Sequence, residues 1–402
     1  VKADSALQSI QRNRRKDFTM SHHQFFRLTT LLTLVFSALA GCAPQEQQVD
    51  EIRIGVIASI TGSIPNVGKS TVEAAQMAAQ EINDTGGLEV AGKKYTITLV
   101  IEDDQDKAET AVAVAEKLIN QGYVVALIGP QASRNAIPVS NVAENARIPM
   151  ISPWSTNPDT TADKQYVFRV AFIDPFQGQV MARFSFEELD AAKAAVLYDI
   201  ASPYNRGIAE IYKQVFEAAG GKVVAFESYT TGEADFTKQL EKIKNSGAEV
   251  LFLPNYENEV PLQAEQAHRI GLDIPLIGSD SWGTIAPEGR TQLEGAYFST
   301  HYATDIADEP ARTFIENYTT KYGHTPDDVA ALTYDAFGLL FEAIQSQGLA
   351  EPEAIRTGLA GIESFLGVTG SMKYSGSGDP IKSAVVLRVV DGKFVFYKLA
   401  TP

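Results

Sequence analysis

The feature that most constrains this chain is one alternation of short apolar runs and helix-length amphipathic segments, carried out twice. IRIGVIAS (52–59) reads as a buried strand. After a glycine-containing turn, Ser70-x-x-Glu73 has capping-box spacing and predicts a helix start in front of VEAAQMAAQEIND. YTITLVIED (95–103) is the next strand, DKAETAVAVAEKLINQG a helix ending at Gly122, and VVALIGP (124–130) a third strand. A helix over 134–146 and the strand IPMISP (148–153) complete the first series. The second begins with AAVLYD (194–199) and a helix over 204–219 closed by Gly220-Gly221. VVAFESY (223–229), a helix ending at Gly247, AEVLFLP (248–254), a helix ending at Gly271 and IPLIGSD (274–280) follow. Strands alternating with helices predict a parallel sheet covered on both faces, so two series predict two doubly wound α/β units in tandem.

The two units match locally. VVALIGP–helix–IPMISPW and EVLFLPN–helix–IPLIGSD each run from strand to helix to an Ile-Pro that opens the next strand. Counted from those prolines, Trp154 stands where Asp280 stands. Both lie just past the C-terminal end of a strand, where open parallel sheets bind ligands. Two lobes presenting such edges to each other make a cleft.

Past residue 300 the pattern predicts helices over 308–322, 327–347 and 352–360, then closing strands with Asp391-Gly392 as a hairpin turn. A C-terminal segment of that length returns to complete the first lobe and creates several crossovers. The expected division is 51–174 with 304–376 as lobe 1, and 175–303 with 377–402 as lobe 2, joined by a multi-strand hinge.

The N-terminal part has a different character. Residues 28–40 (LTTLLTLVFSALA) are an apolar run of signal length, well short of the roughly 20 residues that span a bilayer. Arg27 and the basic residues at 12–16 precede it. Leu39-Ala40-Gly41-Cys42 resembles a bacterial lipobox, in which the thiol is acylated and cleavage leaves Cys42 as the new N-terminus. Residues 1–41 are therefore expected to be a signal segment, and 42–50 a polar tether. Met20 already precedes a complete signal, so 1–19 is expected to be an over-extended start.

Without residues 1–41 the chain keeps 28 basic against 48 acidic residues, a net charge of −20. That balance argues against nucleic acid, whose phosphates need Lys and Arg, and against an anionic membrane surface. The remaining length of about 360 residues fits two domains better than one core. One cysteine forms no intrachain disulfide, and five scattered histidines supply no zinc-ligand spacing.

Catalytic and cofactor motifs are missing. Gly62…Gly68-Lys69-Ser70 has five residues between its glycines where a phosphate loop has four. No G-x-G-x-x-G follows the first strand. The acidic run 102–106 lacks the glycine and closing glutamate of a calcium loop. Neither G-x-S-x-G nor H-E-x-x-H occurs. No cofactor and no metal is expected. What remains is a set of hydroxyls, aromatics and one carboxylate at strand ends. Ser133 follows the third strand at a helix N-terminus, whose unpaired N–H groups and dipole suit a carboxylate. Ser155 and Thr156 follow the fourth strand; in the second unit Tyr204 follows AAVLYDIASP, Tyr256 follows VLFLPN and Asp280 ends IPLIGSD. Anion donors on one wall and an acid with aromatics on the other suit an α-amino acid zwitterion.

The blocks IGVIASITG, AAQEINDTGG, ALIGPQASRNAIPVSNVAENARIPMISPWSTNP, DFTKQLEKIKNSGAEVLFLPNYENE and VAALTYDAFGLL make the chain, from about residue 50 onward, similar to the branched-chain amino acid (Leu/Ile/Val) binding proteins. These are type I periplasmic substrate-binding proteins of ABC importers. The resemblance implies two Rossmann-like lobes, a monomeric extracytoplasmic receptor without enzymatic activity, and delivery of ligand to a membrane permease. It also implies that Ser133 and Thr156 hold the ligand with backbone groups of Trp154 and Thr156. Tyr204 and Tyr256 then line the closing lobe, and Asp280 pairs with the ammonium. Val67 and Trp154 depart from the family, which often has a tyrosine at the first place and a small residue at the second. Trp282 adds bulk near Asp280, so branched-chain preference does not carry over. A sensory receptor of the same fold, and a binder of amides, urea or aromatic acids, are the alternatives.

Overall fold

The structure, a computed structural model, describes residues 50–402; the expected signal segment, Cys42 and the tether to residue 49 lie outside them. The first series folds as β1 (Glu51–Ala58), α1 (Pro65–Asp84), β2 (Leu88–Val90), β3 (Lys93–Asp103), α2 (Ala108–Gln121), β4 (Ala126–Ile128), α3 (Ser133–Ala146), β5 (Met150–Ser152) and β6 (Val167–Arg169). The second folds as α4 (Asp174–Arg183), β7 (Lys193–Asp199), α5 (Pro203–Ala218), β8 (Lys222–Tyr229), α6 (Thr237–Ser246), β9 (Val250–Leu253), α7 (Val260–Arg269), β10 (Leu276–Gly278) and β11 (Tyr297–Thr300).

Each series makes its own sheet, and the parallel part has the same order in both. The first runs β3-β1-β4-β5-β6, with β2 added antiparallel at the edge, and the second runs β8-β7-β9-β10-β11. Counted from the first strand of each series, the order is 2-1-3-4-5, the flavodoxin-like arrangement with a switch point between its first and third strands. The strands are continuous apolar runs because helices cover both faces. In β1, Ile54 and Val56 pack towards α1, while Ile57 packs towards α2 and α3.

The C-terminal third serves both sheets. α8 (Ala311–Tyr322), α9 (Asp328–Gln347) and α10 (Pro352–Gly361) pack with α1 over the first sheet. β12 (Ser364–Gly367), β13 (Gly370–Tyr374) and β14 (Pro380–Ile381) form a small antiparallel sheet. β15 (Ala384–Val390) and β16 (Lys393–Ala400) are a hairpin that joins the second sheet through β11. Its turn residues Asp391 and Gly392 both have positive φ, 51° and 68°, as a two-residue hairpin of this hand requires. The chain passes between the two sheets three times, after β6, after β11 and after β14.

The capping-box expectation is corrected. α1 begins at Pro65, five residues before Ser70, because proline at the first helical turn is already set to helical φ. Ser70 lies inside the helix, and its hydroxyl donates to Asp327, the N-cap of α9, at 2.5 Å. The second sheet is also mixed rather than purely parallel, since the C-terminal hairpin runs antiparallel to β11. Among the described residues no helix is long and apolar enough to cross a membrane.

Candidate functional site

The crevice in the first sheet is shaped by backbone. β4 is followed by Gly129, whose φ of 89° is natural only for glycine, and a Cβ there would lie 2.3 Å from the Ile57 carbonyl oxygen. That tight turn delivers Gln131 and then Ser133, the first residue of α3, to the C-terminal edge of the sheet. The early N–H groups of such a helix have no partner within it. After β5 the chain carries Trp154, Ser155 and Thr156 beside Ser133. The loop is held by Arg169, fully buried at the end of β6. Its guanidinium donates to the carbonyls of Ser155 (2.8 Å) and Asn157 (2.9 Å) and to the Thr161 hydroxyl (2.6 Å), and it pairs with Asp379 at 2.6 Å. The Thr156 hydroxyl is buried beside the Asp174 carboxyl, without a well-formed hydrogen bond to it.

The crevice in the second sheet has the opposite character. Asp280 follows β10 and is 1% exposed. Its carboxylate accepts from the Tyr204 hydroxyl at 2.6 Å and faces His301 Nε2 at 3.3 Å. Tyr204, on the first turn of α5, also donates to Ser279 at 2.6 Å. Gln177 connects two acids: its amide N–H donates to Asp174 at 3.0 Å, and its oxygen accepts from the Asp280 backbone N–H at 3.4 Å. Burial pushes the Asp280 carboxyl up to about 6, against the Tyr204 and Gln177 hydrogen bonds that favour its anion. Burial first, and the nearby Asp280 charge in the same direction, push Asp174 up to about 7. Burial drives His301 well below the usual histidine range, so it is neutral here.

The two crevices face each other across a closed cleft. Gln131, Ser133, Trp154 and Thr156 from the first sheet, with Tyr204, Tyr256 and Asp280 from the second, line one small cavity of about 10 Å³. The Tyr256 ring lies 5.3 Å from that of Tyr204 and 6.0 Å from that of Trp154. Its other neighbour is the Arg134 guanidinium, 4.6 Å from the ring centre and hydrogen-bonded to Asp106 at 2.8 Å. Asn157 Nδ2 donates to the Pro203 carbonyl at 3.1 Å, and the Asn66 N–H to Glu257 at 3.2 Å, so the two halves also touch directly.

Six of the seven residues expected from the sequence therefore line one cavity. Ser155 is the correction. Its hydroxyl turns away from the cavity to bond Ser133 Oγ (2.9 Å) and Thr160 Oγ1 (2.7 Å), because Arg169 fixes its carbonyl and thereby the loop. It supports Ser133 rather than lining the cleft. Sequence reasoning missed Gln131, Asp174, Gln177, His301 and Asp328. Only Gln131 carried a signal, its place between the strand-ending Gly129-Pro130 and Ser133. The others reach the site from elements distant in sequence. Among the described residues no group of three or more His, Cys, Asp or Glu is arranged to hold a metal ion.

Comparison with known proteins agrees with this architecture. Residues 51–393 match the family model described as periplasmic binding protein, so the chain belongs to that family of substrate-binding proteins. It is 30% identical over 357 residues to a leucine-, isoleucine-, valine-, threonine- and alanine-binding protein of Pseudomonas aeruginosa, covering 87% of this chain and 93% of the relative. The leucine-binding protein LivK of Thermotoga maritima superposes with a TM-score of 0.82 at 32% identity, over 87% of this chain and 99% of that one. LivJ of Streptococcus pneumoniae, solved in complex with isoleucine, gives 0.81 at 29% identity, over 88% and 100%.

Proposed function

We propose that this binding protein captures a free amino acid between its two sheets and delivers it, outside the cytoplasm, to the permease of an ABC importer. One observation carries the reading: one small cavity has neutral hydroxyls and a helix N-terminus on one wall and the Asp280 carboxylate on the other. Ser133 Oγ, Thr156 Oγ1 and nearby backbone N–H groups receive the ligand carboxylate. Asp280, steadied by Tyr204, receives the ammonium, and backbone groups of Trp154 and Thr156 complete the grip. Tyr204 and Tyr256 cover the ligand from the second sheet. Contacts to both walls exist only when the cleft is shut, so the ligand shifts the population towards the closed form that a permease reads. Acylation at Cys42 tethers the monomer to the membrane, with 51–174 and 304–376 moving against 175–303 and 377–402.

Calorimetric titration of the mature chain with amino acids and with their deaminated and decarboxylated analogues tests this. Binding that needs both charged groups is the expected result. Equal affinity for a carboxylic acid without an amine removes Asp280 from its role and leaves an acid binder.

A further inference from the structure

We propose that the loop after β9 is a latch across the cleft, closed at two points: Glu257 caps α1, and Tyr256 covers the Arg134 guanidinium. Glu257 and Arg134 then raise the affinity for every ligand by a common factor without touching any of them. This rests on the reading above of a cleft that shuts on its ligand, and adds what holds it shut. Neither Arg134 nor Glu257 lines the cavity.

α1 starts without a cap of its own. Its N-cap residue is Ile64, whose side chain offers no acceptor, and its first turn contains no acidic residue. The early N–H groups of a helix need such an acceptor, and the helix dipole favours an anion there. The Asn66 N–H finds one across the cleft, in Glu257 Oε1 at 3.2 Å, 191 residues along the chain. Burial raises the Glu257 carboxyl, while Thr284 and the Asn66 N–H favour its anion. Opening the cleft returns this helix end to water.

The second point is prepared on both sides. Arg134, on the first turn of α3, donates through Nε to Asp106 Oδ1 at 2.8 Å and through Nη2 to the other carboxylate oxygen. Asp106 is fixed in turn: its N–H donates to Asp104 Oδ1 at 2.8 Å, and Asn135 Nδ2 donates to Asp104 Oδ2 at 3.0 Å. In the other half the Tyr256 N–H donates to Glu259 Oε2 at 3.3 Å, and Asn205 Nδ2 holds the Pro254 carbonyl at 2.7 Å. The guanidinium lies 4.6 Å from the Tyr256 ring centre, and the Arg134 side chain is 17% exposed. The contact is thus largely desolvated, where a cation gains most from an aromatic face. Partners already ordered within each half lose little side-chain freedom on meeting.

Latch and ligand contribute to the same closing step. Weakening the latch therefore lowers the closed population of the empty protein and the affinity for all ligands alike.

The test combines calorimetry with small-angle X-ray scattering of the ligand-free protein, on the mature chain, Glu257→Gln and Arg134→Met. The calorimetric probes are alanine, threonine, valine, leucine, isoleucine and phenylacetate. Glu257→Gln keeps the shape and removes only the charge, so it decides the matter if Arg134→Met, which leaves Asp106 unpaired, does not fold. Every probe that the unaltered protein binds is expected to weaken by one factor, about twofold to fivefold in Glu257→Gln and about twofold to thirtyfold in Arg134→Met. Both variants are expected to show a larger ligand-free radius of gyration. Losses that differ from probe to probe overturn the latch, because only groups that touch a ligand discriminate. Unchanged affinities in a folded variant overturn it too. Binding of phenylacetate alone fails the amino-acid reading, and the latch is then read on phenylacetate. With no probe bound the radius decides: a larger value in Glu257→Gln supports the latch, and an unchanged one overturns it.

Discussion

The first sheet and the second share the order 2-1-3-4-5, yet the loops that follow their fourth strands differ in chemistry. In the first, the loop 154–156 presents neutral hydroxyls and is gripped from beneath by a buried arginine acting on its carbonyls. In the second, Asp280 stands in the matching place and is steadied by neutral partners, Tyr204 and Gln177. One topology supplies two facing crevices, and the residues two positions beyond each strand decide the sign of each. A pair of crevices with the same sign would repel one end of a zwitterion; this pair complements both ends.

The contrast can be broken most forcefully at Arg169. Arg169→Met leaves the buried Ser155 and Asn157 carbonyls and the Thr161 hydroxyl without their donor, so it is expected to lower unfolding free energy by about 3–5 kcal/mol in urea titration. The second loop is held by neutral bonds such as Ser281 Oγ to the Asn255 carbonyl at 2.7 Å. Ser281→Ala is expected to lower it by only about 0.5–1.5 kcal/mol. Equal losses would erase the difference between the two loops.

Asp280→Asn comes next. A charge-assisted bond is worth about 1.5–3 kcal/mol, so amino acid affinity is expected to fall roughly tenfold to a hundredfold by calorimetry. The loss should be absent for a ligand without an ammonium.

Acid sharpens the same asymmetry. In the empty protein burial raises Asp280 to about 6, and an ammonium binds its anion. Affinity is therefore complete above that pH and declines as pH falls through it, by at most about tenfold per unit for one proton. Asp174, raised to about 7, and His301, held neutral by burial, lie beside it, and burial also pushes up the neighbouring Tyr204 and Asp328. Dissociation constants measured from pH 8 to 5 should show the decline, and Asp280→Asn should flatten it.

Ser133→Ala is the mildest change. A neutral hydrogen bond contributes about 0.5–1.5 kcal/mol, so a loss of only a few-fold to about tenfold is expected. That loss should vanish for an amine lacking a carboxylate, the mirror image of the Asp280 result.

The rhythm of strands and helices was legible because buried parallel strands are short apolar runs and their helices end at glycines such as Gly122, Gly247 and Gly271. The cleft was legible because two Ile-Pro strand starts place Trp154 and Asp280 at equal offsets. The start of α1 was misread because Ser70-x-x-Glu73 imitates a cap while Pro65 does the work. Arg169, Gln177, His301 and Asp328 were illegible for another reason. Each acts through a partner brought near by a crossing of the chain, such as Trp154 and Asp328, 174 residues apart. Spacing along a sequence carries no trace of such pairs.

Arg169 grips main-chain oxygens of the binding loop and, through Asp379, the stretch leading into the last crossing between the halves. The main chain of that loop is thus tied to the segment by which the polypeptide returns to the second half, so a shift of one carries to the other.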